Sequence, residues 1–126
     1  MTEPTTRTMP ATALLGRRGE DAATSYLRSV GMSVLTRNWR RRLGEIDIIA
    51  REGVTLVMVE VKTRTGTRHG SPAEAITPAK LARLQALTNQ YLAENHDRER
   101  GVRLDLVGVR IVAGEPHINH VRGISC

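Results

Sequence analysis

Cysteine is all but missing from this 126-residue chain. The single one is Cys126, so neither an internal disulfide nor a cysteine-based metal site can hold the fold together. Any metal must sit on oxygen ligands. Aromatic side chains are almost as scarce: no Phe, and only Tyr26, Trp39 and Tyr91. Proteins that grip splayed single strands stack the bases on aromatic platforms, so a reader of duplex backbone or shape fits this composition better. No apolar run approaches membrane-spanning length, and no hydrophobic stretch follows Thr2-Glu3-Pro4-Thr5-Thr6-Arg7 to make a signal peptide. The expectation is a cytoplasmic protein with no membrane partner. Phosphate-cradling glycine loops, His-Glu-x-x-His spacing and a plausible serine or cysteine nucleophile setting are also lacking. The four histidines (His69, His96, His117 and His120) are expected to be structural or exposed.

Lysine is rare as well. The chain carries +6 formal charge with a pI near 10.7, yet its basic residues are arginines apart from Lys62 and Lys80. Such a charge draws a compact chain toward polyanions, nucleic acid first. Codon bias accounts for the arginines as readily as phosphate contact does. The two lysines then stand out, because an amine can lose its proton where a guanidinium cannot.

The length fits one domain with one core. Residues 1–12 are rich in Thr and Pro without periodicity and read as a disordered tail, leaving 13–126 as the domain. Ala13 to Val30 reads as an amphipathic helix with Gly31 as its C-cap. Glu20 flanks its apolar stripe, which gives it reach but no assigned duty. A short segment around Met32 to Leu35 leads into Arg37-Asn38-Trp39-Arg40-Arg41-Arg42, a phosphate-binding loop or strand edge, or simply a solvated basic loop. Glu45–Arg51 and Val54–Lys62 read as a hairpin. Arg64 to Gly70 reads as a mobile basic loop carrying Arg64 and Arg68. Thr77-Pro78 opens a second helix running to about Asn95. Its first-turn Lys80 is either an amphipathic lysine over the core, the commoner situation, or a nucleic-acid ligand. Strands at Arg103–Val112 and His117–Val121 close the chain, with Asp105 read as a carboxylate paired to a nearby arginine.

The hairpin carries the chemistry. Val54 to Lys62 is apolar on both faces except for Glu60 and Lys62, and charges in such a strand must be paired or bind a metal. A loop centred on Glu52-Gly53 puts Ala50 opposite Thr55 and Asp47 opposite Met58. Asp47 and Glu60 then become diagonal neighbours on one face, within reach of one hydrated divalent cation. Mg²⁺ or Mn²⁺ on Asp47, Glu60 and the Val61 carbonyl would neutralise a phosphate and activate water. Lys62 would orient or deprotonate that water, or stabilise charge in the transition state.

The order helix acid, Asp, hairpin, Glu-x-Lys resembles the PD-(D/E)xK nuclease superfamily, with spacing similar to archaeal Holliday-junction resolvases. Gly19-Glu20, Ala23, Tyr26-Leu27, Arg37-Asn38, Gly44-Glu45-Ile46-Asp47-Ile48-Ile49-Ala50 and Val59-Glu60-Val61-Lys62-Thr63-Arg64 resemble more specifically the bacterial YraN family, over about residues 14–121. Glu-x-Lys alone is common; the extended pattern is what carries the likeness. Ile46 stands in place of the motif's proline, and Met58 and Leu104 where the family often shows an aromatic. The resemblance implies a single α/β domain, restriction-endonuclease-like, with a mixed sheet flanked by helices. It implies Glu20, Asp47, Glu60 and Lys62 as catalytic residues. The expected function is metal-dependent cleavage of DNA, with branched or junction substrates first, phosphates held by Arg37, Arg40, Arg41, Arg42, Arg64, Arg68 and Lys80, and a homodimer if the activity is resolvase-like. The rivals are a non-catalytic nucleic-acid-binding module of the same fold and a protein-interaction adaptor.

Overall fold

The computed structural model describes residues 10–66, 76–95 and 101–124. Helix α1 (Ala11–Ser29) is followed by strands β1 (Ser33–Arg41), β2 (Gly44–Glu52) and β3 (Thr55–Thr65), helix α2 (Pro78–Asn95), and strands β4 (Gly101–Val112) and β5 (Glu115–Val121). The five strands form one sheet in chain order, β1-β2-β3-β4-β5. Only β3 and β4 run parallel, and a parallel return requires a crossover, here through α2. This is the mixed α/β sheet flanked by helices that the restriction-endonuclease-like expectation called for. None of the described helices is long and apolar enough to cross a membrane.

Each helix covers one face. Val57 and Val59 point to the α1 side with Ile48, Ala50, Val107 and Val109, where Ala23 and Leu27 pack. Leu56 and Met58, alternating with them, point to the α2 side against Leu84, Leu87 and Tyr91. This two-sided burial is why β3 is an unbroken apolar run. Helix α1 ends in a Schellman motif: Gly31, at φ 94, donates to the Arg28 carbonyl, and Met32 donates to that of Leu27. Thr77 Oγ1 accepts the Lys80 N–H at 3.1 Å and caps α2 as its sequence anticipates.

Three expectations shift. Helix α1 starts at Ala11, inside the segment read as tail. Strand β3 runs on to Thr65, so Arg64 lies in a strand and not in the loop expected from Arg64 to Gly70, whereas the basic cluster takes the strand-edge placement offered for it, on β1 with Arg42 just beyond. The β2–β3 register is displaced by two residues, with Ala50 opposite Val57 and Ile49 opposite Met58. The turn is the two residues Gly53-Val54, with Gly53 at φ 61, instead of a loop centred on Glu52-Gly53. A two-residue displacement keeps every side chain on its face. The capping pattern at Ser71–Glu74 and the positions of Arg68, His69 and His96 lie outside the described residues.

Asp105 is fully buried and held from three directions: Arg103 in bidentate contact at 2.8 and 3.0 Å, His120 Nε2 at 2.7 Å and the Gly123 N–H at 3.0 Å. Burial opposes its charge, yet these partners outweigh burial and hold its carboxyl below the usual range. The arginine pairing expected for Asp105 is therefore present. His120, itself clasped by Tyr26 at 2.9 Å, is structural as anticipated. Asp105→Asn should destabilise the fold by about 3 kcal/mol, because it breaks the ion pair and hydrogen bonds centred on a fully buried carboxylate, leaving Arg103 with Glu52 alone. A urea midpoint matching that of the wild type would show the network to be dispensable.

Candidate metal centre

The strands β2 and β3 part company at Asp47. Their ladder runs from Glu52↔Thr55 to Ile48↔Val59 and stops there. Beyond that point β2 stays with β1 through Ile46↔Trp39 and Glu45↔Arg40, while β3 stays with β4 from Glu60↔Leu106 to Thr65↔Ile111. The sheet forks, and Asp47 sits in the fork. Its Oδ2 accepts the Val61 N–H at 2.8 Å, a side-chain bond where a backbone one would otherwise be. Continued by one pair, the displaced register sets Asp47 across from Glu60 instead of diagonal to it, and the two carboxyls act on one another electrostatically.

The fork has a second cause on β1. Between Trp39↔Ile46 and Arg37↔Ile48 the intervening Asn38 adopts φ 54, a left-handed conformation that asparagine tolerates better than most residues. Facing changes there: Ile48 joins the α1-side core and Ile46 the α2-side core, although they are two apart. Arg37 turns accordingly toward α1 and Trp39 toward α2.

Burial, then the neighbouring Glu60 charge, pushes the Asp47 carboxyl up to about 8. Burial also raises Glu60, against the pull of Lys80, the hydrogen bond from Asp47, and Arg83. Burial and mutual repulsion disfavour a negative charge on both at once, so the pair favours holding one proton and the two titrate together. A divalent ion would replace that proton. The donor set suits Mg²⁺ or Mn²⁺, hard ions that take one or two carboxylates and keep several waters. No cluster of three or more His, Cys, Asp or Glu able to hold a metal occurs among the described residues.

Asp47 lines two cavities. One, of about 370 Å³, lies under α1 and is walled by Glu20, Val61, Lys62 and Thr63 among others. The other, of about 340 Å³, lies under α2 and is walled by Glu60, Glu45, Arg40, Lys80 and Arg83, with a floor of Leu81, Leu84 and Leu87. Lys62 therefore lines the α1-side cavity with Glu20, and not the cavity that Glu60 lines. Helix α1 reaches the first cavity because Gly19 lies directly on β3; a Cβ there would fall 1.9 Å from Thr63 Oγ1. That contact brings Glu20, at 15% side-chain exposure, to the cavity wall.

The predicted phosphate ligands do not gather into one patch. Arg37 is paired with Asp21 at 2.7 Å and Glu20 at 3.4 Å, and its Nε is buried without a partner. Arg40 is paired with Glu45 at 2.9 Å. Arg41 is paired with Glu94 at 2.6 Å and lies 4.1 Å over the Trp39 ring. Arg42 is exposed on the β1–β2 turn and Arg64 is half-buried near the end of β3, leaving both on the side of the fork. Lys80 reaches the α2-side cavity. Arg83 was missed in the sequence, although its spacing of three from Lys80 places both on one helical face.

Comparison with known proteins agrees with the motif resemblance. The model of the family described as "Uncharacterised protein family UPF0102" matches residues 19–109. A UPF0102 protein of Rhodococcus opacus (strain B4) is 49% identical over 109 residues, covering 86% of this chain and 92% of that protein. One from Beutenbergia cavernae is 46% identical over 118 residues, covering 93% of this chain and all of that protein. One from Mycolicibacterium vanbaalenii is 44% identical over 114 residues.

The shared proton has a measurable consequence. Folded Asp47 holds a proton at pH values where an unfolded aspartate, near about 4, has lost it. The folded state then binds more protons than the unfolded one between about pH 4 and 8, so stability falls as pH rises through that window. In EDTA the urea midpoint should decline across it, and Asp47→Asn should flatten the decline. Parallel pH profiles for the two proteins would rule out the shared proton.

Proposed function

Since the chain belongs to the UPF0102 (YraN) family, whose description names no activity, we propose from the site itself that it is a metal-dependent nuclease acting on DNA. The observation that carries this reading is the pair Asp47 and Glu60, brought together where the sheet forks, with Lys62 and Lys80 lining the cavities on either side and in no ion pair among the described residues. A protein that only binds nucleic acid gains nothing by presenting two acids to an anionic partner. A protein adaptor has no use for two half-buried carboxyls set against one another.

The fork would hold Mg²⁺ or Mn²⁺ on Asp47 and Glu60, with the Val61 carbonyl as a further donor. Bound there, the ion would supply charge neutralisation on the phosphate and a water of lowered pKa. Lys62, half-buried and in no ion pair among the described residues, would orient that water or meet the charge developing on the phosphate oxygens. Glu20 faces the same cavity and is held by Arg37, which suits it to position water or a second cation. Arg37 thereby acts as a positioning residue more than as a phosphate ligand. The exposed Arg42 and the half-buried Arg64 are better placed to meet the backbone.

Purified protein should nick or cut DNA in Mg²⁺ or Mn²⁺, branched substrates being the first to try, and EDTA should abolish the cutting. Lys62→Ala should keep metal and DNA binding while losing turnover by at least about a hundredfold, the scale for a positioned acid, base or charge stabiliser. Lys62→Arg should restore little, since a guanidinium accepts no proton and is bulkier. Wild-type cutting by Lys62→Ala would remove the lysine from the mechanism. Failure of every DNA and RNA substrate to be cut would leave a binding module.

A further inference from the structure

The cavity under α2 contains two cations that the proposed cleavage does not use. Lys80 and Arg83 line it, and both act electrostatically on Glu60. Neither comes within salt-bridge distance of an acid among the described residues, whereas Arg37, Arg40, Arg41, Arg103 and Arg122 are all paired. A merely structural pair of cations beside Glu60 would close onto it. These two stand off across an open space instead.

That space is built. Gly44 opens β2 at φ 140, and a Cβ on it would meet Arg83 Cδ at 3.3 Å and Nε at 3.6 Å. The bare backbone of Gly44 therefore gives the Arg83 side chain room to lie across the β1–β2 turn. The cavity floor is Leu81, Leu84 and Leu87, which offer no side-chain hydrogen bonds, and neither Trp39 nor Tyr91 is among its walls. Recognition there rests on charge and the guanidinium fork, which match a phosphate and carry no base information.

Resting on the nuclease reading, we propose that Arg83 and Lys80 hold a second backbone phosphate, adjacent to the one that is cut. With a divalent ion taking up the charge of Asp47 and Glu60, the two cations are left to an external anion. The nucleic-acid backbone then passes over the fork with Lys62 on one side of the acid pair and Lys80 and Arg83 on the other.

The test is binding, independent of cleavage. A fluorescein-labelled branched DNA is titrated with protein in Ca²⁺ over a series of salt concentrations and followed by anisotropy. Arg83→Gln should weaken affinity about tenfold and lower the salt slope by about one unit, equally for unrelated sequences. Lys80→Gln/Arg83→Gln should lower the slope by about two units. Arg83→Lys should retain the slope, and Arg28→Gln, at an exposed position two turns beyond Glu20 on α1, should change nothing. An unchanged slope in Arg83→Gln, or a loss confined to some sequences, overturns the site. Tight Arg83-dependent binding of inorganic phosphate alone, in calorimetry, overturns the assignment to a nucleic-acid backbone. If DNA is cut while Arg83→Gln binds as the wild type does, this site falls and the nuclease reading stands. If nothing is cut but the slope depends on Arg83, the site stands and the nuclease reading falls. Absence of any nucleic-acid binding overturns both.

Discussion

The structure depends on one backbone event, the separation of β2 from β3 at Asp47. A buried sheet cannot open without leaving N–H and C=O groups unsatisfied. Here the Asp47 carboxylate takes over the Val61 N–H and makes the opening tolerable. The same carboxylate is thereby fixed near Glu60 where it lines the cavities on both sheet faces. Each half of the sheet keeps a partner past the fork, β1 for β2 and β4 for β3, so the opening is held from both sides. Asn38 at φ 54 provides the matching twist on β1. The opening of the sheet and the placing of two acids beside one another go together, and under the proposed function the stability given up there would be recovered when a cation binds.

Around that point the basic residues divide by role. Arg37 faces the Glu20 carboxylate and Arg103 clasps Asp105, each stabilising part of the scaffold. Arg41 is fixed between Glu94 and the Trp39 ring, so this arginine also secures α2 against the edge strand. Among the described residues, Lys62, Lys80 and Arg83 line the two cavities at the fork with no acid within ion-pair distance. A count of positive charges would treat all of these alike; their partners separate those that build the site from those that face outward.

Much of this was legible in the chain. The apolar period of β3, the Gly31 and Thr77-Pro78 helix boundaries, and two charges stranded in an apolar run lead to the elements found and to the two acids that meet at the fork. The extended Gly-Glu-Ile-Asp and Val-Glu-Val-Lys pattern identifies the family. The register was off by two because the turn centre moved by one residue, from Glu52-Gly53 to Gly53-Val54, and local propensity does not choose between the two. The reversal of facing at Asn38 and Asp47 was invisible, since a period-two reading assumes a strand without irregularities. That reversal decides that Arg37 turns to Glu20, and so changes its expected role from phosphate ligand to support. Arg83 was hidden for a different reason: its importance comes from Gly44, far away in sequence, which gives its side chain room to cross the turn.

The central claim is that the forked acid pair exchanges its proton for a divalent ion. Calorimetric titration of Mn²⁺ into the metal-free protein near neutral pH, repeated in two buffers of different ionisation enthalpy, measures the ion bound and the proton released together. The account predicts a single site whose binding releases a substantial fraction of one proton, and loss of that binding in both Asp47→Ala and Glu60→Ala. Equal Mn²⁺ affinity in the wild type and Glu60→Ala, or binding without proton release, would contradict it.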